Sequence, residues 1–122
     1  MSNQFVWVDI PVSDLDRAIN FYSNVLGSAV TKTGGAGFVF GLLPQADRAV
    51  SGCLYSSDDN VPSRTGPLVY LNANGRLKQA VQAATESGGQ LVQEIHPIGP
   101  HGFRAILIDS EGNRIALHAL TI

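Results

Sequence analysis

Cysteine is nearly absent. The single Cys53 in 122 residues excludes an intrachain disulfide and any multi-cysteine zinc site. Charge is also scarce, with Asp, Glu, Lys and Arg at 15% and a net charge of −2. No run of Lys or Arg occurs, so the electrostatic footprint of a nucleic-acid binder is missing. No apolar stretch approaches the roughly 20 residues of a membrane-spanning helix. Met1-Ser2-Asn3-Gln4 lacks the basic and apolar regions of a secretion signal, and a cytoplasmic location is expected. Aromatic residues reach only 7%, with one tryptophan, Trp7. What is present is a 44% hydrophobic content. Combined with low charge, it argues against disorder, and the length predicts a single domain. Thirteen Gly and six Pro predict many short elements joined by turns.

Helical periodicity is clearest after Ser13. Leu15, Ala18, Ile19, Tyr22, Val25 and Leu26 recur at helical spacing, which predicts a helix over about 14–26. Ser13 and Asp16 resemble a capping box at its start, and Gly27 offers a left-handed stop. A second helix is predicted from about Arg76 to Ser87, with Leu77, Ala80, Val81 and Ala84 as its stripe. Asn74 lies in its expected N-cap region and Gly88-Gly89 at its end. Each helix follows a strand-like run, Phe5 to Val12 and Leu68 to Ala73. Each is followed by three more, near 29–33, 37–43 and 49–55, then near 90–95, 103–108 and 114–119. Gly34-Gly35-Ala36-Gly37 fits a hairpin turn rather than a phosphate loop. Asp109-Ser110-Glu111-Gly112-Asn113 fits a tight turn.

The pattern strand–helix–three strands therefore occurs twice, about 5–55 and 67–122, with polar residues 56–66 between. An internal duplication of this kind predicts an α+β fold of two βαβββ modules. One helix covers only one face of a four-stranded sheet. A curved eight-stranded mixed sheet is expected, with helices outside and a concave cleft on the other side.

Two segments carry a family resemblance. Val12-Ser-Asp-Leu-Asp-Arg-Ala-Ile-Asn-Phe-Tyr22 with Val25-Leu-Gly27 resembles the first-helix signature of the vicinal oxygen chelate superfamily. That superfamily holds glyoxalase I, bleomycin-resistance proteins and extradiol dioxygenases. Ile108-Asp-Ser-Glu-Gly-Asn-Arg-Ile-Ala-Leu-His118 resembles its closing hairpin. The resemblance implies the βαβββ fold and a homodimer. In the metalloenzyme members, four cleft-facing strand positions hold His, Gln or Glu ligands. Carried over one by one, they fall on Trp7, on Gly52 or Cys53, on Leu68 and on Ala116. Trp, Leu and Ala donate nothing to a divalent cation, so no metal cofactor is expected. The resemblance then implies a binder of a small aromatic or amphipathic molecule, as in the drug-resistance branch. The alternative is a lyase, isomerase or dioxygenase-type enzyme with a relocated metal or a metal-free acid–base pair.

Strand alternation places further side chains beside those four. Phe5 and Asp9 accompany Trp7, Tyr55 accompanies Cys53, Tyr70 and Asn72 accompany Leu68, and Arg114 and His118 accompany Ala116. Trp7 is either a core indole or a stacking platform. Asp9 and His118 are the candidate acid–base groups, with Arg114 as another partner for Asp9. His96 and His101 flank a loop and form either a two-imidazole metal site or a solvated turn. Cys53 is either a thiol nucleophile or a buried small hydrophobe.

Overall fold

Two amphipathic helices and eight short strands follow one another in the repeated order that the sequence pattern predicts. The computed structural model describes residues 3–35, 37–47 and 49–122. The first module contains β1 (Trp7–Pro11), α1 (Leu15–Leu26), β2 (Thr31–Gly35), β3 (Phe38–Leu42) and β4 (Ser51–Tyr55). The second contains β5 (Val69–Asn72), α2 (Leu77–Glu86), β6 (Gln90–Pro97), β7 (Phe103–Ile108) and β8 (Arg114–Ala119). A one-turn 3-10 helix, Gly99–His101, precedes β7. Of the expected Gly34–Gly37 turn, Ala36 lies outside the described residues. Among the described residues no helix is long and apolar enough to cross a membrane.

The eight strands form two four-stranded mixed sheets, ordered β1-β4-β3-β2 and β5-β8-β7-β6. In each, the strand before the helix runs parallel to the last strand of its module, and the other pairs are antiparallel. The two topologies are identical, as an internal duplication requires. β1 and β5 are edge strands, and a crevice of about 380 Å³ between the modules is lined by Val8, Ile10, Val69 and Leu71.

The core lies between the sheets and the helices. Ala18, Phe21, Tyr22 and Val25 are the buried residues of α1, and Leu77, Ala80 and Ala84 those of α2. They meet Ile10, Leu54, Leu107, Ile115 and Leu117 from the strands. α2 packs against α1 and against β6, β7 and β8, with Ala80 and Ala84 fully buried. Gly52 stands on this helix side. A Cβ there would sit 2.3 Å from the Val8 carbonyl oxygen, so only glycine permits this close approach of β4 to β1.

Both helix starts differ from the expected ones. Asp14, rather than Ser13, caps α1, its carboxylate accepting the Arg17 N–H at 3.1 Å. The Ser13 N–H is taken by Glu111 from the far end of the chain, at 2.9 Å. Arg76 stands at the α2 N-cap without a side-chain cap bond. Asn74 instead accepts the Leu120 N–H at 2.7 Å, which ties the chain end to the helix entry. Gly27 ends α1 at φ +67°, a conformation glycine adopts without a Cβ penalty. Arg76 donates to the Val25 carbonyl beside it.

The turn between β7 and β8 clasps the first module. Asp109 and Asn113 are buried. Tyr22 donates its hydroxyl to the Asp109 carboxylate, which also accepts the backbone and side-chain N–H groups of Asn113 at 2.8 and 2.9 Å. Asn113 donates onward to the Pro11 carbonyl at 2.7 Å. Burial, then the neighbouring Asp109 carboxylate, push the Tyr22 hydroxyl well above its usual range, so it remains a donor. Glu111 accepts from Ser13 N–H and Asp14 N–H at 2.9 and 2.8 Å, and from Arg17 at 2.7 and 3.0 Å. One carboxylate thus serves orphan N–H groups at the α1 start and an ion pair.

Candidate functional site

Each sheet turns one face to the helices and leaves the other open. Strand register settles which side chains share the open face. Trp7 stands opposite Ser51 and Asp9 opposite Cys53. Tyr70 stands opposite Ala116, and Asn72 and Arg104 both opposite His118. Of the two residues considered for the second ligand position, Cys53 faces the open side and Gly52 the helices. Cys53, Ile106, Ile108 and Ala116 are buried yet stand outside the core cluster around the helices.

On the first module Asp9 organises a small cluster. Its Oδ1 accepts the Trp7 indole N–H at 3.1 Å and the Cys53 thiol at 3.3 Å. Trp7 keeps 42% of its surface exposed, so it is not a filled core position. Its N–H is satisfied, as an aromatic of this kind needs. Burial above all, and the Asp9 carboxylate as well, raise the Cys53 pKa despite a lowering bond from Trp7. A thiol held protonated is a poor nucleophile.

On the second module the open face carries a concavity of about 510 Å³ lined by Tyr70, Ile98, His101, Arg104 and His118. Arg104 donates Nε–H to His96 Nε2 at 3.0 Å and a terminal N–H to the Tyr70 hydroxyl. The His118 Nε2 meets the His101 carbonyl at 2.7 Å, and its ring lies edge-on to Tyr70, 6.1 Å between centres.

These contacts revise the expected pairings. Asp9 bonds to neither His118 nor Arg114. Its acceptor oxygen serves Trp7 and Cys53, while His118 is turned to a backbone carbonyl. Arg114 donates to the Gly66 carbonyl at 3.3 Å instead. Asn72 accepts the Asn74 N–H at 2.9 Å, shaping the turn into α2. Leu68 lies half-buried just before β5, Tyr55 is half-buried, and Phe5 is exposed ahead of β1. His96 cannot join His101 in a two-imidazole site as it stands, because its Nε2 lone pair already takes an Arg104 N–H. A cation at that nitrogen repels a metal ion. Arg104 is absent from the sequence-derived site, although hairpin counting reveals it. Ile108 opposite Arg114 across the turn puts Arg104 opposite His118.

The donor set does not fit the metal centre that the resemblance implies. Of Trp7, Cys53, Leu68 and Ala116 only Cys53 has a donor atom, and that thiol is bonded to Asp9. Among the described residues no three His, Cys, Asp or Glu side chains converge.

With this geometry in view, the chain can be compared with known proteins. The model of the Glyoxalase/Bleomycin resistance protein/Dioxygenase superfamily matches residues 4–117, and the chain belongs to that family. A "Glyoxylase-like domain-containing protein" from Didymella fabae is 27% identical over 123 aligned positions, 96% of this chain and 94% of that one. A glyoxalase/bleomycin resistance protein from Albidiferax ferrireducens superposes with a TM-score of 0.75 at 19% identity, covering 96% of this chain and 98% of that one. A glyoxalase I variant from Zea mays superposes at 0.72 with 22% identity, covering 93% of this chain and 45% of that one. At these identities the structural likeness is one of fold, and it leaves the chemistry to the site.

Proposed function

We propose that this chain binds a small aromatic or amphipathic organic molecule on its open face, without the metal centre of its enzymatic relatives. What supports this reading most is the set of side chains at the four positions where the resemblance places metal ligands. An exposed indole, a hydrogen-bonded thiol, Leu68 and a buried alanine offer contact area in place of metal donors. Around them stand a few polar groups, Asp9 on the first sheet and Tyr70, Arg104 and His118 together on the second. That mixture suits an organic ligand with one or two polar handles. An acid–base reaction by Asp9 and His118 has less support, because each is committed to a different neighbour.

Apart from the ligand-facing Trp7 and Tyr70, the open face also presents Phe38, 53% exposed and stacked on Phe40. A second copy of the chain covering part of it accounts for these side chains, so the working form is a homodimer. Light scattering at micromolar concentration tests this, with a mass near 12.9 kDa counting against it.

Elemental analysis of protein purified without chelators or metal-affinity tags tests the metal-free assignment. The expected result is far less than one equivalent of any transition metal, and a melting temperature unchanged by added zinc, manganese or iron(II). Near-stoichiometric metal, retained on dialysis, overturns it.

A further inference from the structure

The second-module concavity holds a cation, Arg104, with no counter-charge among the described residues. Arg104 carries five N–H donors, and its two recorded bonds go to neutral groups. The Tyr70 hydroxyl takes one. His96 takes the other on Nε2, while its Nδ1 meets the Glu94 carbonyl at 2.8 Å and must therefore carry the ring proton. Each ring nitrogen thus has its role assigned, and His96 is a neutral acceptor here. Among the described residues, no carboxylate lies within ion-pair distance of Arg104, and no Asp or Glu lines the concavity. His118 adds a second polar group. Its Nε2–H faces the His101 carbonyl, leaving Nδ1 without a hydrogen-bond partner among the described residues.

The rest of the lining is Ile98, the 46%-exposed Tyr70 ring and the His101 imidazole. A half-buried guanidinium with spare N–H groups, held flat by two fixed acceptors, matches a planar oxyanion. The aromatic wall beside it rewards an apolar body attached to that oxyanion. We infer that the concavity formed by Tyr70, Ile98, His101, Arg104 and His118 takes an organic carboxylate, its carboxyl group on Arg104 and its apolar body against Tyr70 and Ile98. This assignment rests on the small-molecule reading above and narrows it to an anionic class.

The test uses benzoate and its neutral isostere benzamide as probes, followed by amide NMR shifts of the full chain in constant salt. Benzoate is expected to shift the Tyr70, Arg104 and His118 resonances saturably and to bind at least tenfold more tightly than benzamide. Arg104→Gln is expected to remove that preference, lowering benzoate affinity tenfold or more while leaving benzamide unchanged. Arg104→Lys keeps the charge without the fork and is expected to fall between. The benzoate–benzamide comparison on the unaltered protein stands even if a variant folds poorly. Equal binding of the two probes at this concavity overturns the carboxylate assignment and leaves the small-molecule reading intact. Inorganic phosphate displacing benzoate with equal affinity also overturns it, since the site then senses charge alone. Failure of both probes and of neutral aromatics to shift any open-face residue overturns both proposals.

Discussion

Glu111 is expected to be the main acid-sensitive tie between the two modules. Its side chain is fully enclosed although its partner Arg17 is half exposed. Burial by itself would raise its pKa. The Arg17 bond, the Asp14 N–H, the Ser110 hydroxyl and the Ser13 N–H outweigh burial and hold it down from the usual 4.5 to about 2. A depressed carboxylate stabilises the fold above its unfolded pKa, and the contribution is lost as pH falls through the folded one. The window here is therefore pH 4.5 down to about 2. A shift of that size is worth on the order of 3 kcal/mol, which solvent screening at Arg17 reduces to about 2 kcal/mol. Glu111→Gln removes the charge and keeps the shape. At pH 7 the variant is expected to lose about 2 kcal/mol, roughly 8 °C in melting temperature for a domain of this size. Urea unfolding of both proteins at pH 7, 4 and 3 measures the difference. It should shrink steadily as the wild type gives up its own carboxylate. A difference that stays constant with pH, or one below about 0.5 kcal/mol at pH 7, refutes the assignment.

Other perturbations separate the clasp, the sheet and the open face. Tyr22→Phe removes one donor from the buried Asp109 carboxylate and is expected to cost about 1–3 kcal/mol by denaturant unfolding. Gly52→Ala places a Cβ 2.3 Å from the Val8 carbonyl oxygen. It is expected to cost about 1–3 kcal/mol by opening the β1–β4 pair, where a neutral outcome would contradict the register. Trp7→Ala touches a half-exposed side chain and is expected to cost only about 1 kcal/mol in stability. The same variant should abolish the fluorescence response to ligand and weaken binding of aromatic probes, and unchanged affinity would remove Trp7 from the site.

Local signals carry the fold far. α1 is legible because its apolar stripe and Gly27 mark both body and end. The duplicated strand order is legible because both modules keep the same succession of strand, helix and three strands. Where the reading misses, a distant residue has intervened. Ser13 looks like the cap, but its N–H is claimed by Glu111, 98 positions away, and Asp14 takes the capping role. Asn74 likewise serves Leu120 rather than α2. The site divides in the same manner. Alternation places Trp7 and Asp9 on the open face of the first sheet and Tyr70, Ala116 and His118 on that of the second. It does not say that Asp9 turns to Trp7 and Cys53 instead of His118, because side-chain partners depend on distances between strands of different modules. Arg104 lies on β7, a strand to which the family resemblance assigns no ligand position, and only the hairpin register brings it to His118.

The central claim is that the open face binds an organic ligand without metal. An NMR screen of chelator-treated protein against a library of small aromatic acids and neutral aromatics tests it most directly. Saturable shifts confined to Trp7, Cys53, Tyr70, Arg104, Ala116 and His118, unaffected by added divalent metal, are the expected result. Binding that appears only once zinc, manganese or iron(II) is supplied, or that maps to the helix side of the sheets, would contradict it.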